Sequence, residues 1–166
     1  MLFILNLRLS DYIFIHVIKS QIGELMKYVI VYWSRYGNGK KVVDHLAGLL
    51  KKKPGTVQIL NTEEADPSNM PKADLYIFSA PTEAFRIQSN MRSFMKNLEG
   101  MEGKKYGIIN THGMKKSKLK NMESILSKKN MVMESGVDFQ VGKNANTGNG
   151  LMDGWKTKIE DFAKNL

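Results

Sequence analysis

The stretch that decides the fold is residues 27–40, which read KYVIVYWSRYGNGK. Its first half, residues 27–32, is an apolar and β-branched run typical of a strand that is covered on both faces, as in a parallel sheet. Gly37 and Gly39 break this pattern, and over residues 40–53 apolar side chains recur at helical spacing. A buried strand that passes through a glycine-containing turn into a helix indicates an α/β protein.

The same alternation continues to the end of the chain. Further strands are predicted at residues 57–60, 73–80, 104–110 and 131–141, and further helices at residues 90–98, 117–128 and 154–166. Pro81 is expected to end the third strand, and residues 142–150 are expected to form a loop. Because strict alternation implies parallel strands with right-handed crossovers, we predict one α/β domain with a doubly wound, five-stranded parallel sheet and helices on both faces.

The composition excludes several classes of protein. The 166 residues include no cysteine, which excludes a disulfide scaffold, a cysteine nucleophile and thiolate-ligated zinc. Three histidines do not favour a histidine-rich metal site, so no metal is predicted. The net charge of +9 indicates nucleic acid, an anionic surface or an acidic partner. No run approaches the roughly 20 apolar residues of a membrane helix, and a cytoplasmic location is expected.

The first 25 residues differ from the rest because they are strongly apolar but interrupted by Arg8, Asp11 and Lys19. We interpret residues 1–25 as an N-terminal extension before a domain at residues 26–166. As translated chain, the extension would form an edge strand or an amphipathic helix. Alternatively, residues 23–26 back-translate to a ribosome-binding sequence before the Met26 codon, which indicates a start at Met26 and a mis-assigned extension.

The first predicted loop is suited to hold a phosphate. It comprises Ser34, Arg35, Tyr36, Gly37, Asn38, Gly39 and Lys40. Glycines permit a tight turn, and the following helix N-terminus attracts anions. Ser34 offers a hydroxyl, and Asn38 is expected to cap the helix and donate its amide. The alternative is a plain strand–helix turn, since the loop matches neither the Walker motif nor the GxGxxG fingerprint.

This loop resembles the phosphate loop of the flavodoxin family, which follows the pattern [ST]-x-[ST]-G-N-T. The chain has Ser-Arg-Tyr-Gly-Asn-Gly over residues 34–39. With tyrosine at the third position, this loop resembles the S-[KR]-Y-G loops of protoporphyrinogen-oxidase-type members. Gly39 replaces the family's final threonine and removes one hydroxyl. The resemblance covers residues 26–166. The chain has no long insertion in the fifth strand, so it is similar to short-chain members. It implies the strand order 2-1-3-4-5 and bound flavin mononucleotide (FMN).

Two further loops follow predicted strands at the same sheet edge, where ligands of such folds bind. They contribute Pro81, Thr82, Glu83, Ala84 and Phe85, and then Asn110, Thr111, His112 and Gly113. The resemblance implies that these loops flank the flavin ring, with Thr82 bonding a phosphate or ribityl oxygen. Phe85 either covers the ring or packs on the core. His112 either donates to the flavin or is a solvated loop histidine.

The resemblance therefore implies an FMN-binding electron-transfer protein or oxidoreductase, with no obligatory nucleophile. Protoporphyrinogen oxidation occurs among similar proteins, but fold and cofactor leave the substrate open. The alternative is a degenerate flavodoxin-like interaction module with weak or no FMN binding. Cations predicted near the site are Arg35, Lys40, Lys41, Arg86, Arg92, Lys115, Lys116 and Lys118. They predict a positive rim and an acidic redox protein or anionic substrate, whereas the other lysines are too scattered to favour nucleic acid.

Overall fold

Six strands and four α-helices are found in the part of the chain that the computed structural model describes, residues 25–113 and 116–166. The strands are β1 (Met26–Tyr32), β2 (Gly55–Asn61), β3 (Leu75–Glu83), β4 (Arg86–Ile87), β5 (Lys105–His112) and β6 (Val132–Gln140). The helices are α1 (Asn38–Leu50), α2 (Ser89–Lys96), α3 (Leu119–Ser127) and α4 (Trp155–Lys164). The predicted extension lies outside the described residues, apart from Leu25. No described helix is both long and apolar enough to cross a membrane.

The sheet has the order β2-β1-β3-β5-β6, and these five strands are all parallel. This order confirms the predicted doubly wound sheet, since the five strands are the predicted strands in sequence. The central strands are covered on both faces: Ile30, Ile77, Phe78 and Ile108 are fully buried. Their near-continuous apolar sequences are thereby explained.

The helices cover the two faces of the sheet in pairs. On one face Met91 and Phe94 of α2 pack with Met122 and Leu126 of α3 in one apolar cluster. On the other face α1 and α4 form a second cluster, which includes Leu46 and Phe162. The molecule therefore has three layers, with α2 and α3 side by side in one of them.

Pro81 does not end β3, so that prediction is wrong. The strand continues to Glu83, turns, and pairs antiparallel with β4 through Thr82–Ile87 and Glu83–Arg86. The pairing of β3 with β1 stops at Ser79, so the missing N–H of Pro81 leaves no bond to β1 unmade. The strand end is thus a short hairpin that projects beyond the sheet.

The hairpin turn consists of Ala84 and Phe85, both with positive φ, 44° and 66°. Such two-residue turns favour Asn-Gly because side chains with a Cβ are strained there. We expect Ala84→Asn/Phe85→Gly to raise the unfolding free energy by about 1–2 kcal/mol by relieving this strain. Urea denaturation measures the change. Phe85→Ala, which keeps a Cβ but removes the ring, should give no such gain; an equal gain would attribute the effect to the exposed ring.

Candidate functional site

A cavity of about 210 Å³ lies at the carboxyl ends of β1, β3 and β5. The residues that line it are Ser34, Arg35, Tyr36, Asn38, Gly39, Pro81, Thr82, Glu83, Thr111, His112, Gly113, Val141 and Ala145. The three loops predicted from the sequence therefore meet at one place. Of the predicted residues, five do not line the cavity: Gly37, Lys40, Ala84, Phe85 and Asn110.

One wall of the cavity is built by the start of α1. Gly37 precedes the helix in the left-handed conformation, with φ 87°, and its carbonyl accepts the first helical hydrogen bond from Lys41 N. The amides of residues 38–40 have no acceptor within the helix. A Cβ placed on Gly39 would lie 3.4 Å from Ser34 Oγ and 3.8 Å from Thr111 Oγ1. The helix start, Gly39 and these two hydroxyls form what we call the cradle.

Asn38 does not cap α1, so that prediction is wrong. It is the first helical residue, and its side chain is directed to a distant loop: Nδ2 donates to Ala145 O, and Oδ1 accepts from Gly150 N at 2.9 Å. Lys41 Nζ donates to Asn149 Oδ1 of the same loop at 2.6 Å. Residues 142–150, which we call the clasp, are therefore attached by side chains of α1 to the region of residues 34–40, the predicted phosphate loop.

The clasp also packs directly on the backbone of the phosphate loop. Gly148 has φ 75°, and a Cβ placed on it would lie 2.5 Å from Tyr36 O. Val141, which precedes the clasp, and Ala145, which belongs to it, also line the cavity. The sequence did not predict either residue. Their apolar side chains carry no chemical signal; the only signal was the Gly and Asn enrichment of residues 142–150, which predicted no more than a loop.

An ion pair joins the phosphate loop to the hairpin. Arg35 donates from Nε and Nη2 to the two carboxylate oxygens of Glu83, at 2.8 and 2.9 Å, and its guanidinium lies 5.2 Å from the Trp33 ring centroid. The hydrogen bond and the charge of Glu83 raise the pKa of Arg35 above its ordinary value. Lys40 is likewise paired, with Asp44 at 2.6 Å. The rim on the α1 side is therefore less positive than the sequence predicted.

Asn110 is fully buried and has a structural role at the base of the site. Its Nδ2 donates to Ala80 O at 2.9 Å, and its Oδ1 accepts from Thr82 Oγ1 at 3.2 Å and from Lys118 N at 2.9 Å. The end of β3, the end of β5 and the start of α3 are thus held by one amide. Because the Thr82 hydroxyl donates its proton to Asn110, it can only accept a hydrogen bond from a group in the cavity.

His112 is buried at the end of β5, so the interpretation as a solvated loop histidine is wrong. Its Nε2 lies 3.3 Å from Asp138 Oδ2, and Asp138 Oδ1 accepts from Lys158 Nζ at 2.7 Å. Burial acts to raise the pKa of Asp138, but hydrogen bonding to Lys158 and its charge, with smaller contributions from Ser117 and His112, outweigh burial and lower it. The histidine ring is therefore held beside a carboxylate that stays ionised.

Two exposed aromatic residues belong to the loops around the cavity. Tyr36 is 53% exposed, and Phe85 is 68% exposed at the tip of the hairpin. Phe85 therefore does not pack on the core, which was one of its two interpretations. Both rings are therefore accessible to a ligand or to another protein.

The fold and the cavity together define a class of protein. The cavity lies where the strand order reverses, with β1 flanked by β2 on one side and β3 on the other, which is where doubly wound sheets bind their ligands. The family model of the flavodoxin domain matches residues 29–147. The chain belongs to the flavodoxin family.

Solved structures agree with this assignment at the level of the fold. Oxidised flavodoxin 2 from Bacillus cereus has a TM-score of 0.71 and 18% identity, covering 84% of this chain and 96% of that chain. A flavodoxin from Streptococcus pneumoniae has a TM-score of 0.68 and 19% identity, covering 84% and 97%. Rubredoxin oxygen:oxidoreductase from Desulfovibrio gigas has a TM-score of 0.70 and 17% identity, covering 95% of this chain and 40% of that chain. The search of curated proteins found no match.

Proposed function

We propose that the protein binds FMN and transfers electrons through it. The observation that carries the proposal is the cradle, in which two hydroxyls and the amides at the start of α1 adjoin a glycine. These are neutral donors arranged as a phosphate requires. The flavin would supply the electron chemistry, and the protein its orientation and electrostatic environment. Membership of the flavodoxin family supports this choice of cofactor.

The size of the cavity is compatible with part of this ligand. Its roughly 210 Å³ is below the ~300–1,000 Å³ usual for complete ligand pockets. We therefore expect Ser34, Thr111 and the helix amides to hold the phosphate, and Thr82 to accept from the ribityl chain. The ring would lie at the mouth, near Tyr36 and Phe85. The residues present fit FMN in this way, with the hydroxyl that Gly39 lacks as the main departure.

Two roles are compatible with this proposal: an electron carrier and an FMN-dependent oxidoreductase. The structural neighbour from Desulfovibrio gigas, rubredoxin oxygen:oxidoreductase, supports a redox role for this fold. An acidic redox protein or an anionic substrate is the proposed partner, since the chain carries a net +9. We also propose that the domain comprises residues 26–166, because the composition of the first 25 residues differs from the rest. A cytoplasmic location is proposed with it.

The cradle predicts discrimination between FMN and riboflavin, which lacks the phosphate. We expect the apoprotein to bind FMN about 100-fold more tightly or better, since hydrogen bonds to a charged group contribute ~1.5–3 kcal/mol each. Fluorescence titration of both flavins measures the ratio, and the visible spectrum and mass of any released cofactor identify what the purified protein carries.

The matched variant for this test is Ser34→Ala/Thr111→Val. It should weaken FMN binding by at least about tenfold and leave riboflavin binding nearly unchanged, because it removes phosphate donors alone. Absence of binding by either flavin to the folded protein would instead favour the interaction module that binds no FMN.

A further inference from the structure

Most of the net positive charge of the chain belongs to one stretch of its sequence. Residues 89–130, which supply α2, β5 and α3, contain ten Lys and Arg residues against three Asp and Glu residues. Their net charge is +7, of the +9 carried by the whole chain. Lys104 and Lys105 lie at the start of β5, but seven of the other cations belong to α2, α3 and their flanking residues, and these two helices pack side by side on the same face of the sheet.

Seven cations of α2, α3 and their flanking residues are also free of acidic partners among the described residues, whereas Lys105 at the start of β5 is paired with Glu134. We call the basic face the following exposed or half-buried side chains: Arg92, Lys96, Lys116, Lys118, Lys120, Lys128 and Lys129. None of them takes part in an ion pair among residues 25–113 and 116–166. On the α1 side, by contrast, Arg35 is paired with Glu83 and Lys40 with Asp44. Beside the cavity, Arg35 and Lys40 are therefore neutralised by neighbouring carboxylates, whereas Lys116 and Lys118 before α3 are not.

The basic face begins at the cavity. Lys118 N donates to Asn110 Oδ1, and the next two residues of β5, Thr111 and His112, line the cavity. From that point α3 extends by nine residues, about 13 Å at 1.5 Å per residue, to Lys128. A partner that covers this helix would consequently lie against the site.

We propose that the basic face docks an acidic electron-transfer protein, which approaches the cavity from the α2–α3 side. This inference rests on the proposed function and adds the partner class and its orientation. Unpaired surface charges of one sign steer an oppositely charged protein and fix its register more than they add affinity.

The surface chemistry favours a protein over nucleic acid or a membrane. Among the described residues, the large exposed hydrophobic side chains are Leu25, Tyr36, Phe85, Val132, Met133 and Met152. None belongs to residues 89–130. Single-stranded nucleic acid requires aromatic residues for base stacking, and an interfacial membrane helix requires an exposed apolar side. The basic face provides charge without either.

The test compares two variants that each remove three exposed positive charges. Lys96→Gln/Lys120→Gln/Lys128→Gln changes the basic face, and Lys51→Gln/Lys52→Gln/Lys156→Gln changes the α1–α4 side. The ¹⁵N-labelled full chain, without flavin, is titrated at low ionic strength with an acidic plant-type [2Fe–2S] ferredoxin as the probe. We expect perturbed amides in α2 and α3, binding weakened about tenfold or more by the first variant, and at most about threefold by the second.

The possible outcomes separate the hypotheses. Equal weakening by the two variants, or perturbations away from α2 and α3, would overturn the proposal. The proposal would also be overturned if a single-stranded oligonucleotide or phosphatidylserine vesicles bound more tightly than ferredoxin and the basic-face variant abolished that binding. FMN titration of the same variant should be unchanged, because its three residues do not line the cavity. The flavin titration thus tests the proposed function, and the ferredoxin titration tests the docking surface.

Discussion

Gly148→Ala should lower the unfolding free energy by about 2–4 kcal/mol, since left-handed φ costs a residue with a Cβ ~1–2 kcal/mol and the clash adds to it. The added Cβ would lie 2.5 Å from Tyr36 O, a backbone atom that can move only with the phosphate loop. The clasp would separate from that loop, and the cradle beside it would shift. We therefore also expect FMN binding to weaken by more than about tenfold.

The matched control is Gly48→Ala, in the last turn of α1. A Cβ there meets no atom within 4 Å, and the residue is helical. Replacing a helical glycine by alanine should stabilise the protein by about 0.5–1 kcal/mol and leave FMN binding unchanged. Urea denaturation and flavin titration of both variants give the comparison. A Gly148→Ala variant as stable as the wild type would show that the clasp can separate without cost.

Asn110→Ala should lower the unfolding free energy by about 3–4 kcal/mol, because it leaves one buried and two half-buried groups without their partner. Each loss costs ~1–3 kcal/mol, and relaxation of the surroundings recovers part of it. These groups are Ala80 O, Thr82 Oγ1 and Lys118 N. The residue is fully buried, so water does not replace the lost bonds without rearrangement. Denaturation measures the loss, and hydrogen exchange should show reduced protection of the Lys118 amide.

Thr82→Val provides the graded comparison for Asn110. It removes only the hydroxyl that donates to Asn110 Oδ1, and we expect a loss of about 1 kcal/mol. The Lys118 amide should keep its protection in this variant. If Asn110→Ala lost no more stability than Thr82→Val, the amide would not be holding the three elements together.

The sheet was predictable because its strands are nearly continuous apolar runs. Residues such as Ile30 and Phe78 are buried between two helical layers, and this burial requires the pattern that was read from the sequence. The hairpin after β3 was not predictable in the same way. Its turn uses Ala84 and Phe85 with positive φ, where the usual signals would be asparagine and glycine.

The cavity was predictable in its polar residues and not in its supports. Ser34, Thr111 and Gly39 lie in loops that follow strands, so the sheet topology alone brings them together. The partners of Asn38, in contrast, are Ala145 and Gly150, which are 107 and 112 residues away. No local rule connects them, and a local capping role was predicted instead. The charge of residues 89–130 could be counted, but its collection on one face required the packing of α2 against α3.

The clasp gives the chain an order of events during its synthesis. The phosphate loop leaves the ribosome more than a hundred residues before Ala145 and Gly150, to which Asn38 is bonded. Strands β1, β3 and β5 can therefore be present while one wall of the cavity is still missing. Under the proposed function, capture of FMN requires the chain through residue 150, and we expect a chain that ends before residue 145 to remain colourless even if its sheet has formed.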